Sequence, residues 1–397
     1  MEKIKKLCMD QPLIPIITFI ALLSCFAILS ATPMINLPGA KNMWLKQGMF
    51  YGLSSVIIFI IYKIGNDQIY DNIEIIYWII NILLLGLAID HQIYIRTGVD
   101  ILYPLVKSVN GATSWYNIKV MSLQPSEFMK IALVILLAKK TKEHNDYYLI
   151  RTFETEIKYI FTCIKATIIP AALVLLQNDT GVVLIILIGV AFVLLGSGIS
   201  DIWFKIGIFL AIAIVGIGIY LFIYEHDIFA MIMPGHKLQR FYGWIDPEGT
   251  IGDAGFQLFY SLLSYGTAGW FGHGFQSVVM KFPEPQTDFI FAVICTNYGF
   301  IGGLLTILCV IVLDIVILKI GFESTNDRDK YFVMGIIGML LFQQIWNISM
   351  ILGLLPITGI TLPFFSYGGS SVLSYMIAVG MFIDINSQTN ILKNRNY

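Results

Sequence analysis

Apolar positions in this chain come in long runs rather than in alternation, and the runs are about as long as a membrane crossing. A bilayer core of about 30 Å needs about 20 helical residues. That length predicts helical spans near 13–31, 47–64, 74–91, 126–142, 159–177, 180–198, 202–224, 288–318, 331–353 and 368–386. Ten spans place both termini on one side. The eighth exceeds a straight crossing, which predicts tilt or first turns that stand outside the core. Lys3, Lys5 and Lys6 ahead of the run from Leu13 to Leu29, with Ser30-Ala31 as a cleavage-like edge, also fit a signal peptide. The run is long for that role and more spans follow it, so an uncleaved first span is expected.

Composition agrees. Hydrophobic residues fill 57% of 397 positions, charged residues 13%, and mean hydropathy is +0.77. These values predict an all-α, polytopic membrane protein, a single domain over 1–397. The net charge of -1 gives no reason to expect a nucleic-acid partner. Cys8, Cys25, Cys163, Cys295 and Cys309 lie in or beside apolar segments without paired spacing and read as small hydrophobes. Lys and Arg are about twice as frequent on one side of the ten-span layout as on the other, which puts both termini in the cytoplasm. The cluster Lys139, Lys140, Lys142, Arg151, Lys158 and Lys165 reads as part of that topology signal. Two long loops, about 91–125 and 225–287 (the latter between the seventh and eighth spans), then face outward. Loops of that length in a compact domain usually serve function, so the chemistry is expected on the outer face.

Asp288 is the most informative single residue. In Pro283-Glu284-Pro285-Gln286-Thr287-Asp288-Phe289 it sits where a proline-broken loop enters an apolar helix. A carboxylate there is costly unless it is paired, wet or used, and the prolines stop the helix from starting earlier. Gln124-Pro125-Ser126-Glu127-Phe128-Met129-Lys130 opens another span, with Glu127 and Lys130 on one helix face. Two readings stand for this pair: an ion pair that fixes packing, or a lysine facing a phosphate and oriented by the glutamate. Gln177-Asn178-Asp179-Thr180-Gly181 has turn chemistry. Leu355 to Ser371, rich in Pro, Gly and hydroxyls, is irregular backbone at membrane depth, which survives only if buried in protein or lining a polar cavity. Ser366, Ser370 and Ser371 have no His–Asp system nearby to make a nucleophile. Asn110 to Tyr116 carries Trp115, an interfacial anchor or a platform for a sugar face. No clustered ligand set reads as a metal site, and the use of a divalent cation stays open.

These segments in this order resemble the SEDS family of cell-wall polymerases, which includes RodA and FtsW. The matching residues are Asn110-Gly111-Ala112 with Trp115, Gln124 to Glu127 with Lys130, Gln177, Asp179 and Gly181, Pro283-Glu284 with Thr287 to Ala292, and Leu352 to Ser371. Some positions depart from the family pattern. Thr296-Asn297 replace a usual acidic pair, Asn178 stands at a frequent proline, and Thr113-Ser114 replace frequent basic residues.

The resemblance implies polymerisation of lipid II on the outer face, by inverting β-1,4 transfer with release of undecaprenyl pyrophosphate. It implies a class B penicillin-binding protein as partner. It makes Asp288 the base and gives Lys130, oriented by Glu127, to pyrophosphate or to packing. Arg240, Lys281 and Lys119 become further cations, with Glu284 beside them, and Trp115, Gln124, Asp179 and Ser366 line the substrate groove. Thr287-Asp288 and the Gly111 to Trp115 spacing lean toward the RodA, elongation type, with division and sporulation types as alternatives. A lipid II transporter and an inactive scaffold are the competing classes. The former needs a polar path across the whole membrane, whereas the informative polar residues gather at the outer ends.

Overall fold

In this computed structural model the described residues are 11–106, 108, 111–118, 121–233 and 235–395. Lys3, Lys5, Lys6, Cys8, Asn110 and Lys119 lie outside them. The long helices are α1 (Leu13–Ala31), α2 (Met43–Ile64), α3 (Asn66–Thr97), α4 (Pro125–Tyr147), α5 (Phe153–Leu176), α6 (Thr180–Ser197) and α7 (Asp201–Tyr224). Three short helices follow, α8 (His226–Ile232), α9 (His236–Ile245) and α10 (Phe256–Gly266). The chain closes with α11 (Ile290–Glu323), α12 (Asp327–Ile351) and α13 (Gly369–Arg395). The only strands among the described residues form a hairpin, β1 (Tyr116–Ile118) with β2 (Met121–Leu123), in which Tyr116 faces Leu123. The ten long helices coincide with the ten predicted spans. Several run a few residues further, because a helix need not end where the hydrocarbon does. The four cysteines among the described residues are free.

Nine of these helices are long and apolar enough to cross a membrane. The tenth is α4, whose charged residues, Glu127, Lys130, Lys139 and Lys140 among them, dilute its apolar character. Its position explains how it can carry them. Every residue from Met129 to Ala138 is buried, and α3, α5, α6, α12 and α13 pack around it. A helix apolar and buried on all sides is a core element. α4 is therefore the hub of the bundle, screened from lipid by its neighbours. At Gly335 an added Cβ would lie 2.5 Å from Val134, so a side chain there would push α12 off α4. α7 is the opposite case, with no buried residue along its length.

The eighth span is not one continuous helix. It breaks at Gly299, which takes φ 64 and ψ −157. The loop 268–274 closes the gap. Its Gly269 and Trp270 carbonyls accept from Phe300 and Ile301 N–H, and its His273 and Gly274 N–H donate to the Thr296 and Asn297 carbonyls. Each orphaned helix end thus finds partners in the loop, as broken helices at membrane depth require. Thr296 and Asn297, at the positions of the expected acidic pair, are buried in this junction.

Gly299→Ala is expected to lose more than about 2 kcal/mol. The added Cβ is strained at positive φ and would meet Trp270 and Gly272 backbone at 2.5 Å. A thermal-unfolding series in detergent, with Gly207→Ala on open helix surface as control, checks this.

Candidate functional site

The irregular segment 352–368 is exposed at Leu352, Leu354 and Gly359 but buried at 357, 360 and 362–366, and several of its backbone carbonyls are met by side chains from four helices. Ser24 of α1 donates to the Phe365 carbonyl at 2.9 Å, Gln47 of α2 to that of Ser366 at 3.1 Å, and Tyr51 of α2 to that of Phe364. Trp244 of α9 donates to the Gly353 carbonyl at 2.9 Å. Asn347 of α12 is fully buried, and its Nδ2 donates to the Ile360 carbonyl at 2.7 Å and the Asp288 carbonyl at 2.8 Å. The segment returns the support to the Asp288 loop. Tyr367 N–H donates to the Gln286 carbonyl at 2.8 Å, and Ser366 Oγ donates to the Thr287 carbonyl at 2.7 Å while accepting from Leu362 N–H. Ser366, expected to line a groove, is thus occupied with backbone and braces the loop from behind.

That bracing fixes Asp288, one residue before the helix cap Phe289. A side chain at Gly359 would meet Asp288 Oδ2 at 3.5 Å and Arg240 Nη1 at 4.0 Å, so carboxylate and guanidinium border the same point of the segment. Gly359 takes φ 77, and with no side chain it leaves the approach open. Burial pushes the Asp288 carboxyl up to about 7, Glu284 adds like-charge repulsion, and Arg240 draws it down. Asp288 is only partly exposed, so burial is the credible main cause. Glu284 takes φ 52, with its Oε2 accepting from Thr287 Oγ1 at 2.8 Å and Gln286 Nε2 at 3.0 Å.

A second cluster forms around the start of α6. Trp115 Nε1 donates to Gln124 Oε1 at 3.1 Å, and Gln124 Nε2 donates to Asp179 Oδ2 at 3.0 Å. Asp179 caps α6 by accepting from Val182 N–H at 3.2 Å. Burial raises the Asp179 carboxyl, and Glu127 pushes the same way, against the Val182 N–H, Lys130 and Gln124. The hairpin is tied in through Ser370 Oγ, which accepts from Gln124 N–H and donates to the Ser122 carbonyl. The two clusters meet across Thr358 and Gly359. A Cβ on Gly181 would lie 3.6 Å from the Thr358 carbonyl and 4.0 Å from Asp179 Oδ1. Along this seam runs a groove of about 300 Å³, lined by Thr180, Gly181, Val183, Leu187, Thr358 and Ile360. It is almost wholly apolar, except that Thr358 Oγ1 is buried without a partner.

Lys130 does not reach that groove. Its side chain has no exposed surface, its Nζ lies 3.0 Å from Glu127 Oε1, and the Tyr375 ring centroid is 5.2 Å away. Of the two readings of this pair, the geometry carries packing. The expectation that Lys130 faces a phosphate is not met in this structure, where its buried Nζ is held by Glu127 and lies over the Tyr375 ring. Lys281 stands apart too, exposed and 3.4 Å from Asn36 Oδ1. Arg240 is thus the cation beside Asp288. Among the described residues, no three His, Cys, Asp or Glu side chains are grouped to hold a metal ion. Sequence reasoning missed Asn347 and Gln47. The signal was present, since an uncharged polar side chain inside an apolar span needs a partner, but nothing local says which backbone it meets.

A family model described as "Cell cycle protein", covering FtsW, RodA and SpoVE, matches residues 11–391. The chain is 32% identical over 286 residues to stage V sporulation protein E of Bacillus subtilis, covering 70% of this chain and 72% of that protein. It is 29% identical over 356 residues to a probable peptidoglycan glycosyltransferase FtsW of Dichelobacter nodosus, covering 88% and 82%. Among solved structures, a chain described under structural coordination of polymerization and crosslinking by a peptidoglycan synthase complex superposes with TM-score 0.74 at 22% identity, covering 95% and 97%. The rod shape determining protein RodA of Thermus thermophilus superposes with TM-score 0.63 at 21% identity, covering 95% and 96%. At these identities the superpositions speak to the fold.

Lys130→Ala is expected to cost about 3–5 kcal/mol, because it leaves the Glu127 carboxylate buried and unpaired. Lys139→Ala, at the bundle's edge, should cost under about 0.5 kcal/mol. Thermal midpoints of the two purified variants separate these outcomes.

Proposed function

Because the chain belongs to the FtsW–RodA–SpoVE family, we propose that it is a peptidoglycan glycosyltransferase that polymerises lipid II, with Asp288 as the base. The observation that carries this reading is the placement of Asp288, a carboxyl pushed up to about 7 on a braced loop, facing the same glycine as Arg240. General-base catalysis is most effective when the acceptor's pKa lies near the working pH.

The incoming sugar presents its GlcNAc 4-hydroxyl to the Asp288 carboxylate. Its oxygen attacks C1 of the MurNAc that ends the lipid-linked strand, on the face opposite the pyrophosphate. The O4–C1 bond forms as the C1–O bond to pyrophosphate breaks, and the hydroxyl proton passes to Asp288. The electron pair leaves on undecaprenyl pyrophosphate, whose charge needs countercharge more than protonation. Arg240 is the cation in place for it. The apolar groove along α6 suits a polyprenyl chain, with Trp115, Gln124 and Asp179 at its polar end. The Lys and Arg asymmetry of the loops supports an outer-face location for this site. A class B penicillin-binding protein is the partner this reading implies, since glycan made there must be crosslinked there.

Three roles divide the family. Thr287-Asp288 and the Gly111 to Trp115 spacing favour elongation, whereas the relatives named above carry division and sporulation names. Depletion in the native cell separates them: rounding marks elongation, filaments mark division, and a defect confined to spores marks sporulation.

Asp288→Asn should insert and fold normally yet lower glycan synthesis from lipid II in proteoliposomes by on the order of 10²–10⁴. Wild-type rates in that variant would remove Asp288 from the role. Activity should also rise with pH through about 7, as the base loses its proton. Glu284→Gln removes the repulsion that raises the carboxyl and should move the midpoint down, while Arg240→Gln removes the attraction and should move it up. Midpoints that stay fixed, or move the other way, would contradict the assignment.

A further inference from the structure

A second cavity, of about 340 Å³, borders the Asp288 loop and shares no lining residue with the groove along α6. Its walls are Met34 to Leu37 in the α1–α2 connection, Phe256 at the start of α10, and Lys281 to Gln286. The polar groups here are incompletely matched. Lys281 is exposed, its ammonium is 3.4 Å from the Asn36 carboxamide oxygen, and it joins no ion pair among the described residues. Gln286 is 4% exposed. Its Nε2 donates to Glu284 Oε2, but its Oε1 has no partner. A buried carboxamide oxygen without a donor is costly unless a ligand or water supplies one. Met34, Ile35, Leu37, Phe256 and Phe282 make the remaining wall apolar.

These features define one ligand chemistry. Glu284 also lines the cavity, with its Oε2 engaged by Thr287 and Gln286, which leaves Lys281 to ask for an anion, Gln286 for a hydroxyl or amide N–H, and the apolar wall for the C–H face of a ring. A sugar joined to a phosphate offers all three. At about 30 Å³ per water the volume equals roughly eleven waters, which suits one sugar ring with phosphate.

Glycosyl transfer between two lipid-linked sugars needs two substrate sites, and on the reading above the α6 groove, with Trp115, Gln124 and Asp179 at its polar end, serves one. We infer that the cavity at Lys281 and Gln286 binds the phosphorylated sugar of the second lipid-linked substrate, on the wall that carries Asp288 two residues further on. This inference rests on the polymerase reading for its substrate, but its test does not depend on turnover.

The full chain in nanodiscs is titrated with short-chain lipid II, and bound probes per protein are counted by native mass spectrometry. Wild type and Asp288→Asn should each retain two. Lys281→Glu reverses an exposed charge, and Leu37→Trp fills the cavity from a half-exposed position, so neither burdens the core. Each should retain one probe and raise KM for lipid II at least about tenfold, as loss of one hydrogen bond to a charged group would, with a far smaller fall in kcat. Two retained probes and an unchanged KM in both variants would overturn the inference. So would displacement of the second probe by phosphatidylglycerol as readily as by lipid II, which would mark a phospholipid headgroup site. Two bound probes, one of them lost in Lys281→Glu, with no glycan product from wild type would instead sink the polymerase reading and leave the cavity's ligand class standing.

Discussion

One buried side chain ties the two halves of the candidate site together. Asn347 Nδ2 donates to the carbonyls of both Asp288 and Ile360, and so ties the loop that carries the acid to the irregular segment that faces it. Irregular backbone at membrane depth has no water to satisfy it, so each carbonyl must find a donor in the protein. Ser24, Gln47 and Tyr51 do the same along 364–366. A carboxylate set in such a frame cannot relax away from its neighbours, and a reaction that needs a base within hydrogen-bond reach of a hydroxyl depends on that rigidity.

The same frame explains why the acid is perturbed and the hub lysine is not available. Asp288 lies at the edge of the bundle, where burial lifts its carboxyl toward neutrality while an approach past Gly359 stays open. Lys130 lies inside, matched by Glu127 and the Tyr375 ring. Both are charged residues in a membrane protein. The first borders an open approach, whereas the second is buried against its own counter-ion.

The break at Gly299 extends this logic to the outer loops. The loop 268–274 supplies carbonyls and N–H groups to both halves of α11, so the turns that follow Asp288 are held by the long outer loop as much as by the rest of their own helix. The long loop between α7 and α11 is thus part of the site's scaffold. Its α9 presents Arg240 to the same glycine that Asp288 faces, and its Trp244 anchors Gly353.

The sequence by itself determined the ten helices, since a span is a local property of about 20 apolar residues. It also singled out Asp288, Trp115, Gln124 and Asp179, because polar residues at the ends of apolar runs are conspicuous and their motifs match one family. It could not decide between the two readings of Glu127 and Lys130. Spacing puts them on one helix face, but only the packing of five neighbours around α4 shows that the face is sealed. Nor could it find the break at Gly299, where one glycine among many takes a positive φ because a distant loop fills the gap. Asn347 reads locally as a polar residue in a span, and its two carbonyl partners lie 59 and 13 residues away. Period and composition act over one helix. Hydrogen-bond satisfaction in a dry interior acts across the whole bundle, and so only the tertiary structure could settle it.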